Sequence, residues 1–190
     1  MQTQLSPAAT IVPDSADPFL PPIERPEGLI KKLVYYFVRR QYGKVLTPVK
    51  VVSARLPSAF GMFTGKIAQL DKKLQLPGET IFLIREQVAH LNVCSFCMDI
   101  GRLFSIQASM NQAKFDALEE YGTSRLFTEA ERSALDYVTE LTRDKRVNPN
   151  TFARMSRFYS ERAICEIVWL VASEHFYNMT NIGLNIHSDM

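Results

Sequence analysis

From Gly28 to Gly183 the apolar residues recur at three- and four-residue intervals, and no stretch alternates apolar with polar residues for more than a few positions. A period near 3.6 buries one stripe of a helix, whereas a period of 2 buries one face of a strand. The pattern predicts an all-α chain. In the first helix Leu29, Leu33, Tyr36 and Phe37 are expected to face inward, with Lys31, Lys32, Arg39 and Arg40 turned largely elsewhere, and Gly43 ends it. A second helical region spans residues 48–73 and is broken near Pro57. After the turn at Pro77-Gly78, Ile81, Ile84, Val88 and Leu91 form an apolar stripe, with Arg85, Glu86, Gln87 and His90 on the polar side.

Stop and start signals divide the rest. A helix carrying Cys94 and Cys97 continues through Ile100 and Phe104, and a short one over residues 111–121 ends at Gly122. Thr128 and Glu131 form a capping-box pair that opens a helix over residues 129–142. Asn148 and Pro149 supply an N-cap and a first-turn proline. Ser160 opens a long apolar helix that ends near Gly183. Six of the ten prolines lie in residues 1–26, and proline lacks the N–H a helix needs. Residues 1–27 are therefore expected to form an extended arm, and residues 28–190 a single helical domain.

Charge is uneven along the chain. Residues 28–73 carry ten bases against one acid, whereas residues 1–27 carry one base against four acids, and residues 74–190 eleven against fifteen. A basic segment of this kind can meet nucleic acid, an acidic protein or an acidic patch on another copy of the chain, and a solvated face is its ordinary role. The aromatic residues among those bases fall at helical spacing, so no nucleic-acid surface is expected. No run reaches the roughly 20 apolar residues of a membrane helix. The first nine residues have no basic and apolar signal pattern, so a cytoplasmic protein is expected.

The most informative segment is Leu91-Asn92-Val93-Cys94-Ser95-Phe96-Cys97-Met98-Asp99-Ile100. Helical residues three apart have Cβ atoms about 5–6 Å apart, and a disulfide needs about 3.8 Å. A modest adjustment of the first turn, with Asn92 as the helix-starting residue, would close one. Free N–H groups and the helix dipole there favour thiolate, the form that attacks peroxides and disulfides. A structural zinc wants four ligands, and Cys165, His90, His175 and His187 provide no second close pair. No metal or cofactor is expected. Two buried, inert cysteines are the alternative, and Cys165, in an apolar helix, is read as an inert core thiol.

The order of motifs extends the reading. Leu-Asn-x-Cys-x-Phe-Cys-x-Asp-Ile-Gly occupies residues 91–101, followed by Phe-Thr-Glu-Ala-Glu-Arg-Ser-Ala-Leu-Asp-Tyr at 127–137, Tyr-Ser-Glu-Arg-Ala-Ile-Cys-Glu-Ile-Val at 159–168 and Phe-Tyr-Asn-Met-Thr-Asn-Ile-Gly-Leu at 176–184. Over residues 28–186 the chain resembles the alkylhydroperoxidase D-like group of the carboxymuconolactone decarboxylase superfamily. The resemblance implies an all-helical fold, assembly as a homo-oligomer, and a Cys-x-x-Cys pair that reduces a peroxide and takes electrons from a dithiol donor such as a lipoyl-bearing protein. It assigns attack to Cys97 and resolution to Cys94, whereas the helix-start argument favours Cys94, so the order stays open.

Two positions depart from the family pattern. Its proton-relay glutamate, twelve residues before the first cysteine, is Phe82 here, and its histidine, four residues after the second, is Gly101. Glu86 and His90 follow Phe82 at one-turn intervals, on a ridge leading toward Cys94. Glu86 would orient His90, and His90 would relay a proton; the alternative leaves both facing solvent. Asp99 reads as a surface or helix-start carboxylate, Arg102 as a thiolate partner or an exposed ion pair, and His175 as a hydrogen-bonded core or interface histidine. The candidate catalytic set is Cys94, Cys97, His90 and Glu86, for a thiol peroxidase or thiol-disulfide oxidoreductase acting on a small peroxide or disulfide. An oligomeric scaffold with little catalysis is the alternative. Lactone decarboxylation, the other activity in the family, would leave the cysteines without a purpose.

Overall fold

A computed structural model describes residues 17–189. Among them there are helices and no strand, as the periodicity requires. The helices are α1 (Leu29–Tyr42), α2 (Phe63–Asp71), α3 (Gly78–Leu91), α4 (Ser95–Gln107), α5 (Gln112–Asp116), α6 (Glu129–Asp144), α7 (Pro149–Met155) and α8 (Glu161–Ile182), with a single tight turn at Leu118–Glu120 after α5.

The local signals act as the sequence predicts. Thr128 and Glu131 exchange both capping-box bonds at the start of α6. Asn148 caps α7 through the N–H of Asn150, with Pro149 in the first turn, and Ser160 caps α8 through the N–H of Ala163. Gly43 closes α1 at φ 76°, a left-handed conformation that glycine adopts without strain.

α3 is the central element, packed against α4, α6 and α8. Ile84 and Val88 of α3 meet Val138 of α6 and Ile167 and Leu170 of α8 in one fully buried cluster. Truncating one of these branched side chains to alanine costs about 2–5 kcal/mol, because the cavity left behind closes only partly. A second cluster surrounds the cysteines and includes Leu46, Val51, Val52, Phe60 and Ile186.

The connection from α1 to α2 supplies much of that second cluster. It contains two wide turns, Val49–Ser53 and Pro57–Met62, and the break between them, at residues 54–56, lies beside Pro57 as the sequence predicts. In the first, the N–H of Ala54 reaches back five residues to the carbonyl of Val49 at 2.9 Å. Such wide turns recur at functional sites.

Four expectations need correction. The inward face of α1 carries Tyr35, whose hydroxyl donates to the Ile23 carbonyl at 2.6 Å, with Val38 and Tyr42 half-buried beside it. Leu29, Leu33, Tyr36 and Phe37 lie on the opposite, exposed face. α1 is apolar on both sides, so periodicity alone selects the wrong one. The polar side of α3 is also not at the surface: Glu86 and Gln87 are buried, and Arg85 is largely so. Asn92 caps the end of α3 and does not start α4, whose N-cap is Cys94. Cys165 is a free, exposed cysteine on the outer face of α8, not a core thiol, because Glu166, Ile167 and Leu170 take the inner positions.

Residues 1–16 of the expected arm lie outside the described residues. Residues 17–27 contain no helix and lie against the helices. The N–H of Phe19 donates to the Leu184 carbonyl and that of Ile23 to the Lys50 carbonyl, at 3.0 and 3.2 Å. Among the described residues no helix is long and apolar enough to cross a membrane.

Candidate thiol redox site

α3 ends at Leu91, and the chain reverses through Val93 in the left-handed conformation at φ 57°. Cys94 then caps α4, and Cys97 is its third residue. Both side chains thus stand in the first turn, where backbone N–H groups have no helical partner and the dipole is positive. The two are joined as a disulfide, with Cα atoms 5.3 Å apart. Cys94 is 1% and Cys97 5% exposed, roofed by the wide-turned connection and by Ile186 from the tail. That roof is tied down at its edge, where the N–H and hydroxyl of Thr47 each donate to the Asp189 carboxylate at 2.6 Å.

Glu86 and His90 are brought together. His90 Nε2 lies 3.1 Å from Glu86 Oε1, and its Nδ1 lies 3.8 Å from Glu119 Oε1. The bond to Glu86 is the main cause that holds the His90 pKa above its ordinary value, against the opposing effect of burial. Glu86 is 6% exposed while the ring of His90 is partly open, so the pair runs from the interior toward solvent. The other Glu86 oxygen, Oε2, rests against Gly101, where an added Cβ would lie only 2.6 Å away.

A polar chain links α2, α3 and α8. Arg85 bridges Asp71 at 2.7 Å and Glu174 at 2.8 Å. Glu174 accepts from Asn178, Asn178 accepts from Asn92 at 2.9 Å, and the Asn92 amide also meets His175 Nδ1 at 3.1 Å. Burial raises the Glu174 pKa despite Arg85, and burial lowers that of His175. Past this chain on α8, Asn181 Nδ2 donates to Cys97 Sγ at 3.4 Å.

No protein-family model matches the chain. It is 26% identical over 174 residues, covering 88% of this chain and 92% of its relative, to the uncharacterized protein YnjA of Escherichia coli (strain K12). Among solved structures it is similar to the debrominase Bmp8, with TM-score 0.75 and 22% identity over 88% of this chain and 90% of the other. It is also similar to an Agrobacterium tumefaciens protein of unknown function, provisionally assigned as an antioxidant defence protein AhpD. That match has TM-score 0.66 and 20% identity, and covers 70% of this chain and 92% of the other. The chain has the alkylhydroperoxidase D-like fold.

Within this fold the departure at Gly101 acquires a geometric meaning. Without a side chain at 101, α4 leaves room beside α3, and the carboxylate of Glu86 fills it. Arg102 is not a thiolate partner, since it pairs with Asp116 in an exposed bridge at 2.7 Å. His175 is a hydrogen-bonded histidine at the edge of the polar chain. Sequence reasoning missed Asn92, Asn178 and Asn181 as site residues. A signal was present: Glu174, Asn178 and Asn181 are spaced i, i+4, i+7 on the inner face of α8, continuing the stripe of Ile167, Leu170 and Val171.

Among the described residues no group of three or more His, Cys, Asp and Glu side chains could hold a metal ion.

Proposed function

We propose that the protein is a thiol oxidoreductase that uses Cys94 and Cys97 to reduce a small peroxide or disulfide. The observation that carries this reading is the pairing of the two sulfurs in the first turn of α4, where thiolate is favoured. In the reduced protein one thiolate attacks a peroxide oxygen. The O–O bond breaks, an S–O bond forms, and the leaving oxygen takes a proton to depart as an alcohol or water. The second thiol then attacks the sulfenic sulfur, an S–S bond forms, and the hydroxyl leaves with a proton as water. An external dithiol, of the kind a lipoyl-bearing protein carries, restores both thiols by exchange. His90 supplies the first proton and Glu86 orients it, a role consistent with their hydrogen bond and the raised His90 pKa.

The sulfurs lie in an apolar cluster in which Phe60 and Phe176 pack with ring centres 5.7 Å apart, so an organic hydroperoxide is tested beside hydrogen peroxide. Bmp8 is a debrominase solved also with 2,3,4-tribromopyrrole, so that compound belongs in the substrate panel. The test is stopped-flow loss of free thiol from the reduced protein with hydrogen peroxide, an organic hydroperoxide and the bromopyrrole. A rate well above that of a free thiol is expected; it is lost in the variant lacking the attacking cysteine, and neither Cys94→Ser nor Cys97→Ser forms the disulfide. A rate equal to a free thiol's removes the reading. In that case the exposed apolar face of α1 favours the second reading, a homo-oligomeric scaffold with a structural disulfide.

A further inference from the structure

We propose that Asn181 is a catalytic residue of this thiol centre, its amide N–H holding the Cys97 thiolate and its carbonyl Oδ1 receiving the hydroxyl of the peroxide or of the sulfenic acid. The proposal rests on the redox reading above and adds the group that binds the reacting oxygen. Two observations carry it. Asn181 is 3% exposed, and its Nδ2 is 3.4 Å from Cys97 Sγ. Its Oδ1 is buried and has no hydrogen-bond partner among the described residues.

The amide orientation follows from chemistry. A disulfide sulfur has no proton to give, so only the N–H end of the amide is attracted to it. That leaves the oxygen of the same amide with nothing to accept. Asn178, one turn earlier on the same face, is satisfied at both ends. Buried polar atoms are nearly always paired, and one that is not, beside a reactive sulfur, is placed to take a partner there. The bound peroxide has an O–H at the attacking sulfur, and so does the sulfenic acid that follows it. Both need an acceptor within reach of Sγ, and Oδ1 is carried by the side chain that already touches that sulfur.

In the forward step the Cys97 thiolate gives its electron pair to the near peroxide oxygen. The S–O bond forms as the O–O bond breaks, so the sulfur is oxidised and the peroxide reduced. The hydroxyl retained on sulfur donates to Oδ1. When Cys94 attacks the same sulfur, the S–O bond breaks, and the hydroxyl takes the Cys94 proton and leaves as water. Nδ2 favours thiolate over thiol at Cys97, because a donor near the sulfur stabilises the charged form more than the neutral one.

The test uses the full chain carrying Cys94→Ser and Cys165→Ser, so that Cys97 is the titrating thiol. Thiolate ultraviolet absorbance is followed against pH with Asn181 present and with Asn181→Leu, a similar volume lacking donor and acceptor. No reagent has to enter the buried site. The Cys97 pKa is expected to rise by about one unit or more. In chains that retain Cys94, Asn181→Leu is expected to slow the peroxide reaction at least tenfold. Unfolding of the oxidised Asn181→Leu protein is expected at the parent temperature or above, because an unpaired oxygen leaves an apolar cluster. If the leucine variant fails to fold, Asn181→Ala reads the same shift. An unmoved Cys97 pKa, or a loss of stability with no pKa shift, assigns Asn181 a structural role and overturns the proposal. A parent that reacts no faster than a free thiol overturns the redox reading and the role of Oδ1, while the titration still decides the contact at Nδ2.

Discussion

The carboxylate of Glu86 occupies the space that a side chain at Gly101 would need, with Oε2 lying 2.6 Å from where that Cβ would stand. Two helices that would otherwise be separated by a side chain close over a buried carboxyl group, and the same group holds His90.

Gly101→Ala should therefore push Glu86 off His90. The side-chain end can yield, so the expected cost is about 1 kcal/mol, at the low end for overpacking. The His90 pKa should fall toward its ordinary value, measured by NMR titration. Combining Gly101→Ala with Glu86→Ala should cost less than the sum of the two, with coupling above about 0.5 kcal/mol. Additive changes would show that the two residues do not share this space.

The His90–Glu86 bond predicts a pH dependence with a definite sign. The His90 pKa is raised in the folded protein. Its stabilisation is thus complete below the unfolded value, about 6.5, and is lost as pH rises through the raised folded value. Urea unfolding across that window should show the decline in the parent and a flatter profile in His90→Gln. In the peroxide reaction His90→Gln should lose more than tenfold, given general acid–base contributions of about 10²–10⁴, and Glu86→Gln should lose less. Parent-like kinetics in His90→Gln would remove it from the mechanism.

Arg85 and Glu174 form a largely buried pair 2.8 Å apart. Removing one partner leaves an uncompensated charge, so Arg85→Ala should cost about 3–5 kcal/mol. Adding Glu174→Gln should recover part of that loss, because the orphaned carboxylate is gone. Chemical denaturation of both variants measures this, and a double variant less stable than Arg85→Ala contradicts it.

How much of this was legible depends on the range of the interaction. Caps such as Thr128 with Glu131 and stops such as Gly43 are written within four residues, and they were readable. The cysteine pair was readable for the same reason. The burial of Glu86 was not, because it depends on the missing side chain at 101, on another helix. The inner face of α1 was not, because Tyr35 and Leu29 are both apolar choices and only the position of Ile23 and the loop beneath decides between them. Cys165 was misread because a mostly apolar helix does not announce which of its positions face outward.

Val93, left-handed at φ 57° and 78% exposed, is a β-branched residue where glycine or asparagine would be at ease. Val93→Asn should stabilise the fold by about 1 kcal/mol by relieving backbone strain. The unfolding midpoint checks this, and a lower midpoint would show that the valine side chain has a role the strain serves.

The proposed redox cycle is confined to one pair of sulfurs. The most direct test reduces the full protein, adds one equivalent of an organic hydroperoxide, quenches with an alkylating agent at intervals, and maps the cysteines by mass spectrometry. The expected result is one Cys94–Cys97 disulfide per peroxide consumed, formed faster than a free thiol reacts, with Cys165 alkylated throughout. Oxidation that starts at the exposed Cys165, or proceeds at the rate of a free thiol, would contradict it.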